Sequence, residues 1–572
     1  MKRCPECRRD YYDDSLLYCL EDGAALIQGS VPSPDEPATA ILSSEELSHE
    51  AQTRAQVNTT NDSAVFPTAI RDIPAQTASR KNSLMAGIVG IVLVTTLGIG
   101  SYLYYGRSAS KQIESVAVMP FFNDSGNADV EYLSDGMTET LISSLTRLPN
   151  LNVKSRSTVF RYKGKDTNLK TIGKELDVQS ILTGHVTQRD DQLILSLELV
   201  DAATENAIWS QQYTRKQSDL VALQSQIAKD VSIKLKAKLS GAEESKVTRS
   251  ATSDPDAYQD YLKGRFFWNQ RGQGPGKLAA AIEQFKSAVS KDPNYGLAYA
   301  GLADCYVLMP QETGVPPGEA LPKAKAYANR ALEIDESMSE AHATLGLINE
   351  SLWQWADAQK EFERAIELNP NYPTAHQWYS GLLGVMNRKD ERLSEIKKAY
   401  ELDPLSSVIS INVGMAHLER SELSAAVEQF NKTIEFSPNY FVAHFALSIT
   451  YLRLGRPNEA LLEAQKSVEL SKRHSYALSV LGYVNAAIGN RNEALAIIRE
   501  FEQKPIKGES DKFFIAAIYA GLGDKDQAFA WLEKSFQENN SFMTNLRIEP
   551  LFAPLSEEPR FKDILRRMGL PE

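Results

Sequence analysis

Five dipeptides recur along the second half of the 572-residue chain at an unvarying interval. Asp335-Glu336, Asn369-Pro370, Asp403-Pro404, Ser437-Pro438 and Ser471-Lys472 each follow the last by 34 residues. Asp, Asn, Ser and Pro at such points end helices rather than continue them. A fixed period of this length means that each unit is one supersecondary element, and that neighbours stack to shelter a shared apolar seam. Small residues keep the same phase: Ala358, Ala426, Ala460 and Ala494 on one side, Gly346, Gly414 and Gly482 on the other. Phe362 and Phe430 fill an aromatic position, and Ala365 and Ala399 a further small one. An earlier unit ends at Asp292-Pro293 and carries Ala281, Phe285 and Ala288 in phase. From Pro293 to Glu336 the step is 43 residues, nine over the period, and the proline-rich run MPQETGVPPGEALP is where a loop is expected to take up the surplus. A looser last unit holds Tyr519, Gly523, Ala528 and Leu532, and LFAPLSEEPRFKDILRRMGL reads as a terminal cap on the stack.

The period and the phased residues resemble the tetratricopeptide repeat, over residues 253–572. That resemblance implies an all-α superhelical solenoid whose first helices line a groove for a protein or peptide partner. The groove positions it assigns are Glu340, Leu347, Gln377, Ile411, Met415, Phe445, Ile449, Arg453, Tyr476 and Tyr483. Their mix of apolar and aromatic side chains suits an extended peptide or a partner helix. The spaced Lys/Asn set that clamps a terminal carboxylate in chaperone-binding relatives is missing. His342, His376 and His444 share one repeat position and so sit on separate units. Stacked helices lie about 8–10 Å apart, whereas zinc holds nitrogens at about 2.0–2.1 Å. One ion does not gather the three, and they read as packing residues.

Leu84–Tyr105 is the other decisive feature: 22 residues, LMAGIVGIVLVTTLGIGSYLYY, without a charge. At about 1.5 Å per residue a helix of this length crosses a hydrocarbon core of about 30 Å. Arg80 and Lys81 flank one end, and Tyr102, Tyr104, Tyr105 and Arg107 the other, where headgroups anchor cations and aromatics. Arg71, Arg80 and Lys81 on the amino side against Arg107 and Lys111 place the amino terminus in the cytoplasm and residues 106–572 outside it. A single-pass protein of a bacterial inner membrane is the expectation. The spacing Ala86-x-x-x-Gly90 leaves a homodimer through the span open. Residues 29–82, rich in Ser, Thr, Pro, Asn and Gln with no lasting apolar period, read as a disordered linker.

Three of four cysteines crowd the first twenty residues, and Cys305 stands apart as a buried, inert thiol. Cys4-Pro-Glu-Cys7 points two sulfurs at one ion, and Cys19 with Asp22 supplies the other half of a tetrahedral site. Thiolates awaiting zinc survive best in a reducing compartment, which agrees with a cytoplasmic amino terminus. Residues 1–28 resemble the short zinc-ribbon modules that open many bacterial membrane proteins. They depart from that pattern in Asp22, where a fourth cysteine usually stands, and in Arg8, where glycine usually relaxes the knuckle. The zinc would be structural, because so small a module has little core of its own.

Residues 113–240 read as a compact α/β domain. Ser115–Phe122 is a buried strand, residues 129–147 a helix, Ile181–Val186 and Leu193–Val200 alternating strands, Ala207–Thr214 another strand, and Asp219–Leu239 an amphipathic helix. The motifs SVAVMPFFNDSG, YLSDGMTETLISSLTRLPNLNVKSRS, ILTGHV and LELVDAATENAIWSQQYTR resemble the domain related to the amino-terminal part of the TolB translocation protein. The expected architecture is therefore multidomain: zinc ribbon, one transmembrane helix, TolB-like α/β domain, helical solenoid.

The net charge of −12 disfavours nucleic acid as a general partner. Within residues 1–28 the bases Lys2, Arg3, Arg8 and Arg9 are outnumbered by six carboxylates, a poor surface for phosphate. There is no P-loop, HExxH, GxSxG, kinase or cyclase signature, so an enzyme is not expected. The reading is a membrane-anchored interaction scaffold or sensor. The alternative is a membrane-bound signalling or transcriptional regulator that couples an outer sensor to a cytoplasmic module.

Overall fold

The computed structural model describes residues 113–572, apart from 128–129, 149, 166, 236–238, 249–250, 272–275, 314, 504–509 and 572. It also describes three short strands near the amino terminus, β1 (Lys2–Arg3), β2 (Asp10–Tyr11) and β3 (Ile27–Gln28), with β1 antiparallel to both others. Cys4, Cys7, Cys19, Asp22, the linker 29–82 and the span 84–105 lie outside the described residues. Among the described residues no helix is long and apolar enough to cross a membrane.

The α/β domain is built on a mixed sheet of β4 (Ser115–Val118), β5 (Phe122–Asn123), β6 (Asn152–Val153), β7 (Ser180–Arg189), β8 (Gln192–Asp201) and β9 (Ala207–Lys216), in the order β6-β4-β7-β8-β9 with β5 beside β7. β4 runs parallel to β6 and β7 and is apolar along its length because Val116, Ala117 and Val118 are buried. β8 and β9 are antiparallel additions. On β8, Leu193, Leu195, Leu197 and Leu199 face the core while Ser196 and Glu198 face solvent, the alternation of a sheet wetted on one side. The run expected as one strand over Ser115–Phe122 is broken at Met119-Pro120, where proline removes a ladder donor, and pairing resumes at β5. Five helices complete the domain: α1 (Glu131–Thr146), α2 (Arg156–Phe160), α3 (Leu169–Leu176), α4 (Leu220–Leu235) and α5 (Gly241–Thr248).

Sixteen further helices pair as hairpins. They are α6 (Pro255–Asn269) with α7 (Lys277–Lys291), α8 (Gly296–Thr313) with α9 (Pro317–Ile334), and α10 (Ser339–Ser351) with α11 (Trp355–Leu368). Then come α12 (Pro373–Val385) with α13 (Lys389–Leu402), α14 (Ser407–Glu419) with α15 (Leu423–Phe436), and α16 (Phe441–Arg453) with α17 (Pro457–Leu470). The last two are α18 (Ser475–Ala487) with α19 (Arg491–Gln503), and α20 (Ser510–Gly521) with α21 (Lys525–Gln537). From α10 to α19, first helices begin at Ser339, Pro373, Ser407, Phe441 and Ser475, and second helices at Trp355, Lys389, Leu423, Pro457 and Arg491. Every step is 34 residues.

In the six hairpins from α10 to α21 the turn places one residue in the left-handed region, again in phase: Trp353, Asn387, Ser421, Gly455, Gly489 and Gly523, with φ between 59° and 90°. The later turns use glycine, for which this conformation is free of strain. Helix contact is set by another phased pair. A Cβ added to Gly346 would lie 2.7 Å from the ring of Phe362, and one added to Gly414 2.2 Å from that of Phe430. Glycine in the first helix thus makes room for phenylalanine in the second.

The nine surplus residues are not a loop. They lengthen α8 and α9 to 18 residues each, against 13 and 14 in the following hairpin. Pro317 occupies the first turn of α9, where its missing N–H costs nothing, while Pro310 and Pro322 lie inside α8 and α9, so most of the proline-rich run is helical.

Candidate functional site

The first helices of the repeats carry the positions assigned to a partner groove, and the structure shows what those side chains touch. Ile411, Phe445 and Ile449 are buried, at 5%, 3% and 2% exposure. Leu347, Gln377, Met415, Tyr476 and Tyr483 are half-buried, and Glu340 lies at the start of α10 beside Ser339, whose hydroxyl donates to it at 3.1 Å. Arg453 is exposed but tied down: Nη1 donates to the Leu418 carbonyl at 2.8 Å and Nη2 to Ser421 Oγ at 3.0 Å. His342, His376 and His444 each bond to a glutamate of their own hairpin rather than to one another.

The part of this surface around Tyr476 is occupied by the chain's own carboxyl-terminal segment. After α21 two short 3-10 turns, Ser541–Asn545 and Pro550–Leu555, lead into α22 (Pro559–Arg567). The turns rest on α10, α18 and α20, all of them first helices. Tyr476 stacks on Phe514 with centroids 5.3 Å apart and meets Phe445 and Phe542 at 4.7 and 6.0 Å. Its hydroxyl donates to Glu549 at 2.6 Å. Burial, with the Glu549 carboxylate beside it, pushes the Tyr476 phenol well above its usual range, and burial likewise raises Glu549. Met543, Leu546, Leu551 and Phe552 are buried in the same cluster. Farther along, the indole N–H of Trp355 donates to the Met568 carbonyl at 2.7 Å in a buried contact, and Trp353 stacks on Phe536.

The other end of the array is joined to the α/β domain. Gly136 of α1 lets Leu262 of α6 approach its backbone. Glu139 takes bonds from Arg265 and Asn269 at 2.7 Å each and pairs with Arg156 at 3.0 Å. Burial works against the charge on Glu139, yet Arg265 and Arg156 outweigh it and hold the carboxyl below its ordinary value. Asp304 lies 3.6 Å from Arg265 and accepts from Thr344, but burial prevails there and its pKa is pushed up to about 6. From α2, Ser157 and Thr158 donate to Asp403, and Arg161 reaches the Phe436 carbonyl. The motifs gave no sign of this junction, because the bonds that cross it, from Arg265 and Asn269 to Glu139 and from Ser157 and Thr158 to Asp403, join residues more than 100 positions apart. Cys305 is buried with its thiol pushed up, the setting of an unreactive cysteine.

Among the described residues no group of His, Cys, Asp and Glu is placed to hold a metal. The candidate zinc ligands are not among them.

Comparison with known proteins adds two families. Residues 339–372, the α10–α11 hairpin with the turn that follows, match the tetratricopeptide repeat. Residues 111–230 match the second domain of HilA/YgeH-like transcriptional regulators, over the stretch whose motifs resemble the TolB domain. The chain is 28% identical over 287 residues to a Rhizobium meliloti (strain 1021) protein named "Putative adenylate cyclase 3", which spans 48% of this chain and 41% of that one. It is 30% identical over 156 residues to the transcriptional regulator HilA of Salmonella typhimurium, 27% of this chain and 28% of that one. The chain therefore covers less than half the length of either relative. The solved structure of PilF from Pseudomonas aeruginosa aligns over 37% of this chain and 92% of its own length, at 19% identity and a TM-score of 0.31.

Proposed function

We propose that this tetratricopeptide repeat chain is a membrane-anchored scaffold or sensor that binds a protein or peptide segment on the first helices of its repeats. The observation that carries this reading is the seat of residues 541–555. A short stretch bearing Phe542, Met543, Leu546, Leu551 and Phe552 already lies on α10, α18 and α20 as a bound peptide would, with Tyr476 supplying a hydroxyl to its carboxylate. Aromatic anchors with one polar fix are the usual currency of such recognition. In this reading Leu84–Tyr105 is the anchor, residues 1–28 hold a structural zinc on the cytoplasmic side through Cys4, Cys7, Cys19 and Asp22, and residues 106–572 stand on the other side. The chain acts without catalysis. The cyclase in the Rhizobium relative's name belongs to that protein.

A photo-reactive residue at exposed Arg453 of the full chain, activated in native membranes, tests the idea. A discrete protein adduct that is lost with Phe445→Asp supports it, and adducts to lipid or to the chain alone refute it. Zinc analysis of the full chain is expected to find about one ion, lost with Cys7→Ser.

A second reading is favoured by the HilA-like match at 111–230: a membrane-held regulator whose outer domains control a cytoplasmic output. Removal of residues 1–28 separates the two. A scaffold keeps its outer partner, whereas a regulator loses its effect on transcript levels.

A further inference from the structure

The mixed sheet ends on β9, and among the described residues no strand pairs with its outer side. Open edges are normally blunted by charge, proline or a bulge. From Ala207 to Thr214 the strand has no charge and no proline, and Ser210, Gln211, Gln212 and Thr214 are exposed. Its irregularity lies at the start. Leu199 pairs with Trp209 and Val200 with Ala207, which leaves Ile208 over as a bulge. Beyond that point the strand is regular to Lys216.

The ladder dictates which backbone groups face outward. The Gln217 N–H donates to the Asp191 carbonyl at 2.8 Å, and bonded pairs of an antiparallel ladder recur at every second residue. Trp209, Gln211, Tyr213 and Arg215 therefore bond to β8, while Ser210, Gln212 and Thr214 turn their N–H and C=O groups away from it. Two of these outward carbonyls are met by side chains of the strand itself. Gln211 donates to that of Gln212 at 3.0 Å, and Arg215 to that of Thr214 at 2.9 Å.

Charge decides what fits this edge. Arg215 and Lys216 stand together at one end of the strand and Trp209 at the other. An antiparallel copy of the strand sends each cationic end to the partner's aromatic end, whereas a parallel copy would set the cations side by side. A register centred on Gln212 uses the regular stretch alone. It sets Ser210 opposite Thr214, Gln211 opposite Tyr213, and Trp209 opposite Arg215, where guanidinium meets indole. A register centred on Gln211 would instead bring the bulged Ile208 opposite Thr214, among the bonded pairs. On the sheet face that carries Tyr213, α4 flanks the same edge: Gln226 accepts from Arg215 at 3.1 Å and Asp230 from Tyr213 at 2.9 Å. Ile233, three residues on, is 40% exposed. A two-fold axis perpendicular to the sheet sets the α4 helices of two copies on one face, beside the joined strands.

We propose that a second copy of this chain adds to β9, antiparallel about a two-fold axis through Gln212, so that one sheet runs through both copies. Gln212 exchanges both of its bonds with its counterpart, and Ser210 does so with Thr214 on either side. The edge is separate from the surface covered by residues 541–555, so the pairing stands whether or not that surface binds a partner.

The test places photo-reactive p-benzoylphenylalanine in the position of Lys216, at the rim of the pair, in full chains that carry either of two epitope tags. Intact cells that express both are irradiated. The expected product joins the two tags, has twice the mass of the chain, and maps by mass spectrometry to β9 of the other copy. Gln212→Lys in both copies, or Gln212→Glu in both, should lower its yield about 5-fold or more, because like charges then meet on the axis. One copy with each substitution should restore it. Gln212 is exposed and its N–H lies outside the β8 ladder, so the circular-dichroism spectrum of either variant should be unchanged, which distinguishes loss of the contact from loss of the fold. No product between copies, a product with a different protein, or a product that the Gln212 substitutions leave unchanged overturns the proposal. So does failure of the mixed pair to recover the yield.

Discussion

Nδ1 of His342 lies 2.6 Å from Oε2 of Glu361, which ties the first helix of its hairpin to the second. The same pair recurs one repeat on as His376–Glu395 at 2.6 Å, and again as His444–Glu463 at 2.7 Å. In each case Nε2 points at a carbonyl of the turn before the hairpin, that of Glu336, Pro370 or Pro438. The intervening repeat has Ser410 and Gln429 at these positions, and the Gln429 amide donates to the Ser410 hydroxyl at 2.7 Å. The next repeat has Leu478 and Ile497, both buried. The two partners change together, from charged to neutral polar to apolar. Each pairing leaves no buried group stranded.

Swapping one pairing for another tests this. His376→Ser should destabilise the chain by about 1–3 kcal/mol, because it removes the bonds to Glu395 and to the Pro370 carbonyl, and Glu395→Gln by less, because its amide oxygen still accepts from Nδ1. The double substitution rebuilds the Ser410–Gln429 arrangement and should recover at least about 1 kcal/mol of that loss in a denaturation cycle. Strict additivity would show that the pairs act independently.

Two glycines should respond to alanine in opposite directions. Gly346→Ala places a methyl 2.7 Å from Phe362 and should cost about 1–3 kcal/mol. Gly381, inside α12, has nothing within 4 Å of the added methyl, so Gly381→Ala should stabilise by roughly 0.5–1 kcal/mol. Thermal midpoints measure both.

Glu350 is buried on α10, and burial pushes its pKa up to about 8 against the weaker pull of Arg392. The folded chain then keeps a proton that the unfolded chain, at 4.5, has released. Stability from this group is fully present below the unfolded value and is lost as pH rises toward 8. Glu350→Gln should flatten the fall in melting temperature between pH 5 and 8. An unchanged slope would show that the carboxyl is solvated.

Trp355→Phe keeps an aromatic ring, though a smaller one, but removes the indole N–H that reaches Met568. The expected loss is about 0.5–1.5 kcal/mol. Hydrogen exchange should quicken together over the hairpins from α10 onward and over residues 541–570, and stay unchanged over the sheet at 115–216; acceleration confined to 541–570 would contradict a seam.

The repeat array was legible because its signal is local. Gly, Ala, Phe and the turn residues return every 34 positions, and the observed helices begin at the same interval. In the α/β domain β7 and β8 were legible from alternation and β9 from the turn before it, the first strand was legible as an apolar run that Pro120 breaks, and β6 at Asn152–Val153 was too short to leave a pattern. Proline misled in the other direction over 309–322, where Pro317 starts α9 and Pro310 and Pro322 are accommodated inside α8 and α9. The surroundings of the groove positions were hidden for a different reason. Repeat phase puts Tyr476 on a first helix, but that its hydroxyl meets Glu549 depends on where a distant segment comes to rest. No periodicity encodes that. The junction at Glu139 and Arg265 escaped in the same way.

An open stack of like units normally frays from its ends, since each terminal unit has a single neighbour. Here the last residues are stitched to Trp355, 213 positions earlier. Peeling from the carboxyl end must first undo a seam in the middle of the array, so the hairpins from α10 onward should melt as one cooperative block and not in succession.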